Sequence, residues 1–468
     1  MHRSQLVELL RTFDKKEVRD CRKWLRSPYH NQRQDVIDLF DYFFKGSNLE
    51  KETKLRKEKV FTVLFPKESF DDAKIRQSMH FLLRALESYL LFKESTIQSF
   101  STQLILAKIY RKRQLNKTAQ KALQHTDQLL GDIFTRSSSY YWNNFVYEQE
   151  AYVQHVLNNN NRYLYDNVQK LSETLDEAYC IEQLRLVCLR LSTIKSSQDV
   201  SYTSLIEKLS LPNIKYIKSE GIKIYFTLYL LLTQPSQTHF NRLKQEVESN
   251  LFLLDTDAIR EFLLLLINYC VRKINSGEKQ YLAELFHFYQ LLIEHNAFLE
   301  NGFLNPNLFK NIVTNGSILN EFDWVEQFIH DYKEYLDDDH RENYTTFCLA
   351  QLYYYKKDYD TAMRYLAAYE YDDILLNLNS RGMLTKMYYE LAETTALEAH
   401  LESSKVYLRR KKGIPDNYRN VYGNFFRYTR KLLHVNPYDK EKRAKLKTEI
   451  ESAPLIDKKW FLGELEKL

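Results

Sequence analysis

The sequence predicts an all-α protein, an α-solenoid of antiparallel helical hairpins wound into a right-handed superhelix. The first indication is composition: the 468 residues include only 10 glycines and 8 prolines, whereas these two make up about 12% of an average protein. Strands, tight turns and phosphate-binding loops use glycine for positive φ angles, so we expect few of them. The second indication is a 3.6-residue apolar period in segments of about 12–20 residues, and the third is the capping signals at their ends.

Capping signals define the first helices. Asp14 and Glu17 have the D-x-x-E spacing of a capping box. They open a helix that runs to about Arg26 and stops before Pro28, since proline disfavours helical conformation in the preceding residue. The next helix is expected over 31–45, followed by helices over 51–65 and 71–93. The buried stripe of the helix at 31–45 is predicted to be Val36, Ile37, Leu39, Phe40 and Phe43.

Polar breaks divide the chain into roughly 20 helices. Three regions are expected: an N-terminal helical domain or cap at 1–95, a hairpin solenoid at 96–412 and a basic C-terminal helical cap at 413–468. The predicted breaks fall near Asn116, Gly131, 158–161, 196–199, Pro212, Pro235, 255–257, Gly277, 301–306, Gly316, 337–339, Asp358, 377–379, 413–415 and Pro437.

The clearest repeat lies at 349–366. Ala350 and Tyr353 are three residues apart on one predicted helix. Tyr359 lies at the turn, and Ala362 follows Ala350 by twelve residues. Small residues let two helices approach closely, while aromatic rings fill the groove between them. This pattern resembles the tetratricopeptide repeat, which is a helical hairpin of about 34 residues.

Two further hairpins are predicted. Ala107, Tyr110 and Ala119 have the same spacing, with Asn116 at the turn, and resemble a second copy of the repeat. Residues 384–407 have the length of a hairpin, whereas stretches such as 140–178 and 259–295 keep that length without the motif. The side chains expected to point inward in 384–407 are Tyr388, Leu391, Ala399 and Tyr407.

The resemblance to tetratricopeptide proteins implies a function. Stacked hairpins form a long concave face, lined by the first helix of each hairpin, and such faces bind peptides or other proteins. We therefore expect a non-enzymatic interaction scaffold or adaptor whose partner is another protein or a peptide. The candidate contact residues are exposed positions of the clear repeat: Asn343, Gln351 and Tyr354.

Four other segments resemble a family of uncharacterised bacterial all-helical proteins. They are residues 23–31, 182–188, 388–391 and 403–410. The resemblance covers nearly the whole chain and implies one shared solenoid-like architecture. It implies no activity and no functional residues.

Patterns for catalysis and metal binding are weak. Glu284 and His287 form an E-x-x-H on one predicted helix face, but a di-iron bundle needs a second such motif and two more carboxylates. The acidic run 337–339 before His340 is better explained as negative charge at a helix N-terminus. The sequence contains no H-E-x-x-H, phosphate-binding glycine loop or G-x-S-x-G elbow. We therefore expect no enzyme activity, no metal and no cofactor.

Cysteine usage and hydropathy favour a cytoplasmic location. The five cysteines are scattered through apolar helical pattern, which favours reduced, buried thiols over a disulfide framework. No apolar signal-peptide core follows the first residues, and the longest apolar runs, 228–232 and 262–267, are far shorter than the about 20 residues that span a bilayer. No membrane association is expected. The cysteines are Cys21, Cys180, Cys188, Cys270 and Cys348.

One segment departs from the overall net charge of +5. Residues 405–447 hold 14 lysines and arginines against three acids, a net charge of +11, with aromatic residues interleaved. Cations suit phosphate contacts and exposed rings suit base stacking, so a nucleic-acid-binding or regulatory surface is the alternative function. The competing interpretation is a solvated basic face whose aromatics, such as Phe425 and Phe426, belong to the core, and whose charge complements the acidic stretch 370–402. The candidate nucleic-acid surface consists of Arg409, Arg410, Lys411, Lys412, Arg419, Arg427, Arg430 and Lys431.

Overall fold

The protein is almost entirely helical in the computed structural model, which describes residues 1–95, 100–157, 164–193, 219–367 and 373–468. The chain divides into two compact units, Met1–Tyr179 and Cys180–Leu468. The all-α class predicted from the sequence is confirmed. Three predicted breaks, at 158–161, 196–199 and Pro212, lie outside the described residues.

The predicted capping box is present at the start of the second helix of the first unit. The backbone N–H of Glu17 donates to Asp14 Oδ1 at 2.7 Å, and the N–H of Asp14 donates to Glu17 Oε2 at 3.1 Å. Helices α1 to α5 share one core that runs from Leu6 to Tyr89. The helices are α1 Gln5–Arg11, α2 Lys15–Arg26, α3 Gln34–Phe43, α4 Lys57–Leu64, α5 Asp72–Ser95, α6 Phe100–Lys112, α7 Asn116–Gly131, α8 Ser138–Leu157 and α9 Leu164–Thr193, the last of which contains the boundary between the units.

The second unit holds the remaining helices. The only strands among the described residues are β1 Leu299–Glu300 and β2 Phe303–Leu304, which pair antiparallel, so the predicted scarcity of strands is confirmed. The helices are α10 Glu220–Thr233, α11 Gln237–Asn250, α12 Thr256–Asn275, α13 Tyr281–Glu294, α14 Pro306–Ile318, α15 Phe322–Tyr332, α16 Asp338–Tyr355, α17 Tyr359–Ala367, α18 Ile374–Glu390, α19 Thr394–Arg410, α20 Asp416–His434, α21 Lys440–Ser452 and α22 Lys458–Lys467.

Consecutive helices pack as hairpins. The pairs α6/α7, α10/α11, α12/α13, α14/α15, α16/α17 and α18/α19 each pack closely, and their short connections make the two helices antiparallel. We call the earlier helix of each pair its first helix. In the second unit the helices α14, α16, α18 and α20 also pack against one another in that order.

The turns between these helices are tight although the chain has little glycine. In six turns the residue after the helix end has φ > 0, and the next backbone N–H donates to the carbonyl five residues earlier, as Asp358 donates to Tyr353 at 3.0 Å. This is the Schellman arrangement, in which glycine is the usual residue at the left-handed position. The expectation of few tight turns was therefore wrong, since residues other than glycine adopt that conformation in five of the six turns. The six left-handed residues are Gln114, Gly277, Asn296, Asn320, Lys357 and Ala392.

The small residues of the predicted repeat motif are buried in the interface between the two helices of a hairpin, which we call the seam. Ala107 and Ala119 are buried between α6 and α7, and Ala350 and Ala362 are buried in the α16/α17 hairpin. In both hairpins the carbonyl of the signature tyrosine accepts the Schellman hydrogen bond. The small residues therefore stand where close packing of two helices requires them.

Gly316 lies inside α14, and the break predicted there occurs three residues later. A Cβ atom at Gly316 would lie 2.5 Å from Val325 Cγ2 and 3.0 Å from Phe286 Cε2. The glycine is therefore needed for close contact with neighbouring side chains rather than for a turn.

Other predictions in α18 and α19 also needed correction. The break expected at 377–379 lies within α18, where Asn379 Oδ1 accepts a hydrogen bond from the Tyr422 hydroxyl at 2.6 Å. Leu391 is exposed because it ends α18, and Ala399 lies on the outer side of α19, so neither points inward. Tyr388 and Tyr407 are half-buried.

The last helices belong to the same core as the preceding hairpin. Leu378 and Leu397 cluster with Phe425 of α20 and Phe461 of α22. Among the described residues, no helix is both long enough and apolar enough to cross a membrane.

Candidate functional site

A cavity of about 370 Å³ lies among three successive first helices, α14, α16 and α18. We call it the first-helix cavity. Each helix contributes residues that are three, four or seven positions apart, the spacing of one helical face, and Ile456 and Asp457 also line the cavity. Its principal lining residues are Lys310, Asn311 and Thr314 of α14, Gln351, Tyr354 and Tyr355 of α16, and Asn379, Met383 and Lys386 of α18.

Two of the three predicted contact residues line this cavity. The Thr314 hydroxyl donates to Gln351 Oε1 at 2.9 Å, which links α14 to α16. Tyr354 lines the wall but is only 8% exposed, so its predicted exposure was wrong. Its ring stacks on Tyr359 at 5.7 Å, which turns it into the hairpin seam. Asn343 is half-buried and lies outside the cavity lining.

Two lysines line the cavity, and of these Lys386 is paired with a carboxylate whereas Lys310 is not. Lys386 Nζ lies 2.7 Å from Asp457 Oδ2, and the lysine side chain is 13% exposed. Lys310 has no carboxylate within 4.0 Å among the described residues. A negatively charged group of a ligand could therefore form an ion pair with Lys310.

The tyrosines of the cavity present neutral hydroxyl groups. Burial raises the pKa of Tyr354 and of Tyr355, so both hydroxyls stay protonated at neutral pH. Together with the amides of Asn311 and Asn379 they can donate to or accept from a peptide backbone. Aliphatic and aromatic walls beside such polar groups are typical of ligand pockets.

Lys310 and Lys386 are site residues that the sequence did not predict. No motif marks them, because they meet only when α14 and α18 pack on opposite sides of α16. The available signal was a set of polar residues on one face of each first helix, such as Asn379 and Lys386 in α18.

The E-x-x-H pair is engaged in links to the preceding helix. Glu284 Oε2 lies 2.9 Å from Lys244 Nζ, and His287 Nε2 lies 3.6 Å from Glu248 Oε1. In the described parts of the chain, no three His, Cys, Asp or Glu side chains are grouped so that they could hold a metal ion. The geometry at Glu284 and His287 is that of ion pairs between α11 and α13.

The acidic run before α16 caps that helix, as predicted. Asp337 Oδ1 accepts from the backbone N–H of His340 at 3.1 Å and lies 2.7 Å from His340 Nδ1. These contacts lower the pKa of Asp337, chiefly through the bond to His340. All five cysteines are buried and none forms a disulfide among the described residues, which also agrees with the prediction.

The basic segment keeps its cations at the surface and four of its rings in the core, whereas Tyr418 and Tyr438 are exposed. Tyr422, Phe425, Phe426 and Tyr428 are each at most 5% exposed, so they offer no face for base stacking. Five predicted residues line one groove between α19 and α20, whereas Arg410, Lys411 and Lys412 lie outside it on exposed surface. The five are Arg409, Arg419, Arg427, Arg430 and Lys431.

The acidic stretch before this segment supplies some of its partners. Arg430 lies 3.2 Å from Glu398 and 3.1 Å from Glu402, both of which belong to α19. This is the complementary pairing that the opposite charges of the two stretches predict.

Comparison with models of protein families, with curated proteins and with solved structures finds no match to this chain. We therefore infer function from the geometry of two surfaces, the first-helix cavity and the groove between α19 and α20.

Proposed function

We propose that this chain is a non-enzymatic, peptide-binding scaffold that uses the first-helix cavity. One observation carries the proposal: three successive first helices each turn one polar face into the same cavity. A tetratricopeptide-like solenoid with a right-handed superhelix belongs to the same proposal, supported by the packing of α14, α16, α18 and α20 in order. A cytoplasmic location belongs to it as well, supported by five buried cysteines that form no disulfide among the described residues.

The chemistry of the cavity suits a peptide with an acidic group. Lys310 supplies a cation without a carboxylate partner, and a charge-assisted hydrogen bond to it contributes more than a neutral one. Asn311, Gln351 and Asn379 supply amides that can pair with backbone groups of an extended peptide. A cavity of about 370 Å³ accommodates a few residues of such a peptide rather than a folded domain.

A peptide selection tests this proposal. Random peptides displayed on phage are selected against the immobilised full chain, and the affinity of enriched peptides is measured by fluorescence polarisation. We expect Lys310→Glu to weaken their binding about tenfold or more, because it replaces the attracting cation by a repelling anion. Lys279→Glu is the matched control, since it makes the same charge reversal at an exposed lysine between α12 and α13.

The peptide selection can either support or overturn the proposal. Enriched peptides that bind wild type and Lys279→Glu equally, and Lys310→Glu weakly, support the proposal. Failure to enrich any peptide, or equal binding to Lys310→Glu and wild type, would overturn it.

A further inference from the structure

A second surface lies between α19 and α20 and differs in character from the first-helix cavity. It is a groove of about 920 Å³, which we call the basic groove. Leu401, Leu408 and Phe426 lie at its floor, and Arg409 and Arg427 stand on opposite walls.

The groove is apolar below and cationic above. Leu401, Leu408 and Phe426 are buried and form the base, and the exposed residues Lys405 and Arg409 line the groove above it. Long basic side chains place their stems along apolar surface while their charged ends stay in water. Gly423 faces Leu408, whose Cδ1 would lie 3.9 Å from an added Cβ. The missing side chain at Gly423 therefore leaves room between the two helices.

Some cations of the groove are already paired. Arg430 contacts Glu398 and Glu402, and Lys431 contacts Glu449. These pairs hold one end of the groove in place.

Two cations of the groove are not engaged in this way. Arg409 and Arg427 have no carboxylate within 4.0 Å among the described residues, and both are exposed. Arg419 instead donates to the backbone carbonyl of Lys411 at 3.3 Å and so braces the turn after α19. The groove thus presents two available guanidinium groups, one on each wall, above an apolar floor.

We propose that the basic groove binds an acidic amphipathic helix of a partner protein. The apolar face of such a helix covers the floor and the arginine stems, and its carboxylates pair with Arg409 and Arg427, whose planar guanidinium groups match carboxylates well. A nucleic acid fits less well, because Phe426, the ring at the floor of the groove, is buried and cannot stack on bases. The groove is separate from the first-helix cavity, so this inference does not rest on the function proposed for that cavity.

Fluorescence polarisation with designed peptides tests the inference on the full chain. The probe is a labelled peptide of about 18 residues with leucine at i, i+3, i+4 and i+7 and glutamate on the other face. A scrambled peptide of the same composition removes the apolar face, and single-stranded DNA of similar length presents phosphates instead of carboxylates. The groove variant is Arg409→Glu with Arg427→Glu. The matched control is Arg410→Glu with Lys412→Glu, which makes the same change in net charge at exposed residues outside the groove.

We expect the amphipathic peptide to bind wild type, to lose about tenfold or more in affinity for the groove variant and to change by less than about twofold for the control variant. Lys310→Glu should leave this binding unchanged, which separates the two proposed sites. Absence of binding, equal binding of the scrambled peptide or the DNA, or equal losses in the groove and control variants would each overturn the inference.

Discussion

The hairpins at 306–332 and 338–367 close with the same turn but have different side chains at the seam. Glu321 N–H donates to the Gly316 carbonyl at 3.0 Å, and Asp358 N–H donates to the Tyr353 carbonyl at 3.0 Å. In each hairpin the residue nine positions after that carbonyl is fully buried: Val325 in the first and Ala362 in the second.

The difference is an exchange of the smaller and the larger residue between these two positions. The hairpin at 306–332 has a small residue on its first helix and a larger one, Val325, on its second, whereas the hairpin at 338–367 has Tyr353 first and Ala362 second. Helix packing constrains the combined volume at a contact rather than the residue at each position. The backbone turn therefore defines the repeat more reliably than its signature letters.

The largest expected effect tests this exchange at Gly316. Gly316→Ala places a Cβ atom 2.5 Å from Val325 Cγ2, and overpacking of this kind lowers the free energy of unfolding by about 1–3 kcal/mol. Urea unfolding followed by circular dichroism measures it. Gly463→Ala, within α22 and with open space around it, should instead raise that free energy by about 0.5–1 kcal/mol. Equal effects of the two substitutions would contradict a packing role for Gly316.

The next effect concerns two glutamates that link neighbouring helices. Glu390 accepts from Trp460 Nε1 at 2.9 Å, from Lys357 Nζ at 3.1 Å and from the Tyr359 hydroxyl, and its side chain is 17% exposed. Glu326 lies 2.7 Å from Lys356 Nζ and is 45% exposed. Glu390→Gln should lower the free energy of unfolding by about 1–2 kcal/mol, whereas Glu326→Gln should change it by less than about 0.5 kcal/mol, because exposed ion pairs contribute little.

Acid should reveal the same contrast. Burial acts to raise the pKa of Glu390, but the hydrogen bonds from Tyr359, Trp460 and Lys357 outweigh it and lower the pKa. A lowered pKa in the folded state means that the stabilisation is complete above the unfolded value, about 4.3, and is lost as the pH falls further. The thermal unfolding temperature should therefore decrease less steeply between about pH 6 and pH 3 for Glu390→Gln than for wild type. Parallel pH curves would show that Glu390 does not contribute in this way.

The smallest effects lie in the turns. Ala392 has φ 57°, a conformation that costs a residue with a Cβ about 1 kcal/mol or more, so Ala392→Gly should raise the free energy of unfolding by about 1 kcal/mol. Asn320→Gly should raise the free energy of unfolding by less, since asparagine tolerates positive φ. Ala399→Gly, at an exposed position inside α19, should lower the free energy by about 0.5–1 kcal/mol. The same sign for both alanine substitutions would contradict the assigned turn geometry.

Local signals predicted much of the fold. The cap at Asp14, the end of α2 before Pro28 and the buried alanines of two hairpins follow from residues close together in the chain. The break predicted at Gly316 was wrong because that glycine is required by a close contact between helices. The spacing of residues in the sequence does not show which helices pack together.

The candidate site was less predictable for the same reason. Gln351 was identified from its hairpin, and it does line the first-helix cavity. Lys310 and Asn379 join it only through the packing of three helices, and Tyr354 is buried because its ring stacks on Tyr359 across the turn. In the basic segment, charge and helical spacing correctly predicted that the cations lie at the surface and that Phe425 and Phe426 are buried. Both predictions depend only on the spacing of residues along one helix.

The central claim is that the first helices form the binding surface. Hydrogen exchange of the full chain, with and without a peptide selected against it, tests this most directly. Our account predicts slower exchange in Pro306–Ile318, Asp338–Tyr355 and Ile374–Glu390 when the peptide is bound, and little change in Phe322–Tyr332 and Tyr359–Ala367. Slower exchange confined to those second helices, or no difference in any helix, would contradict it.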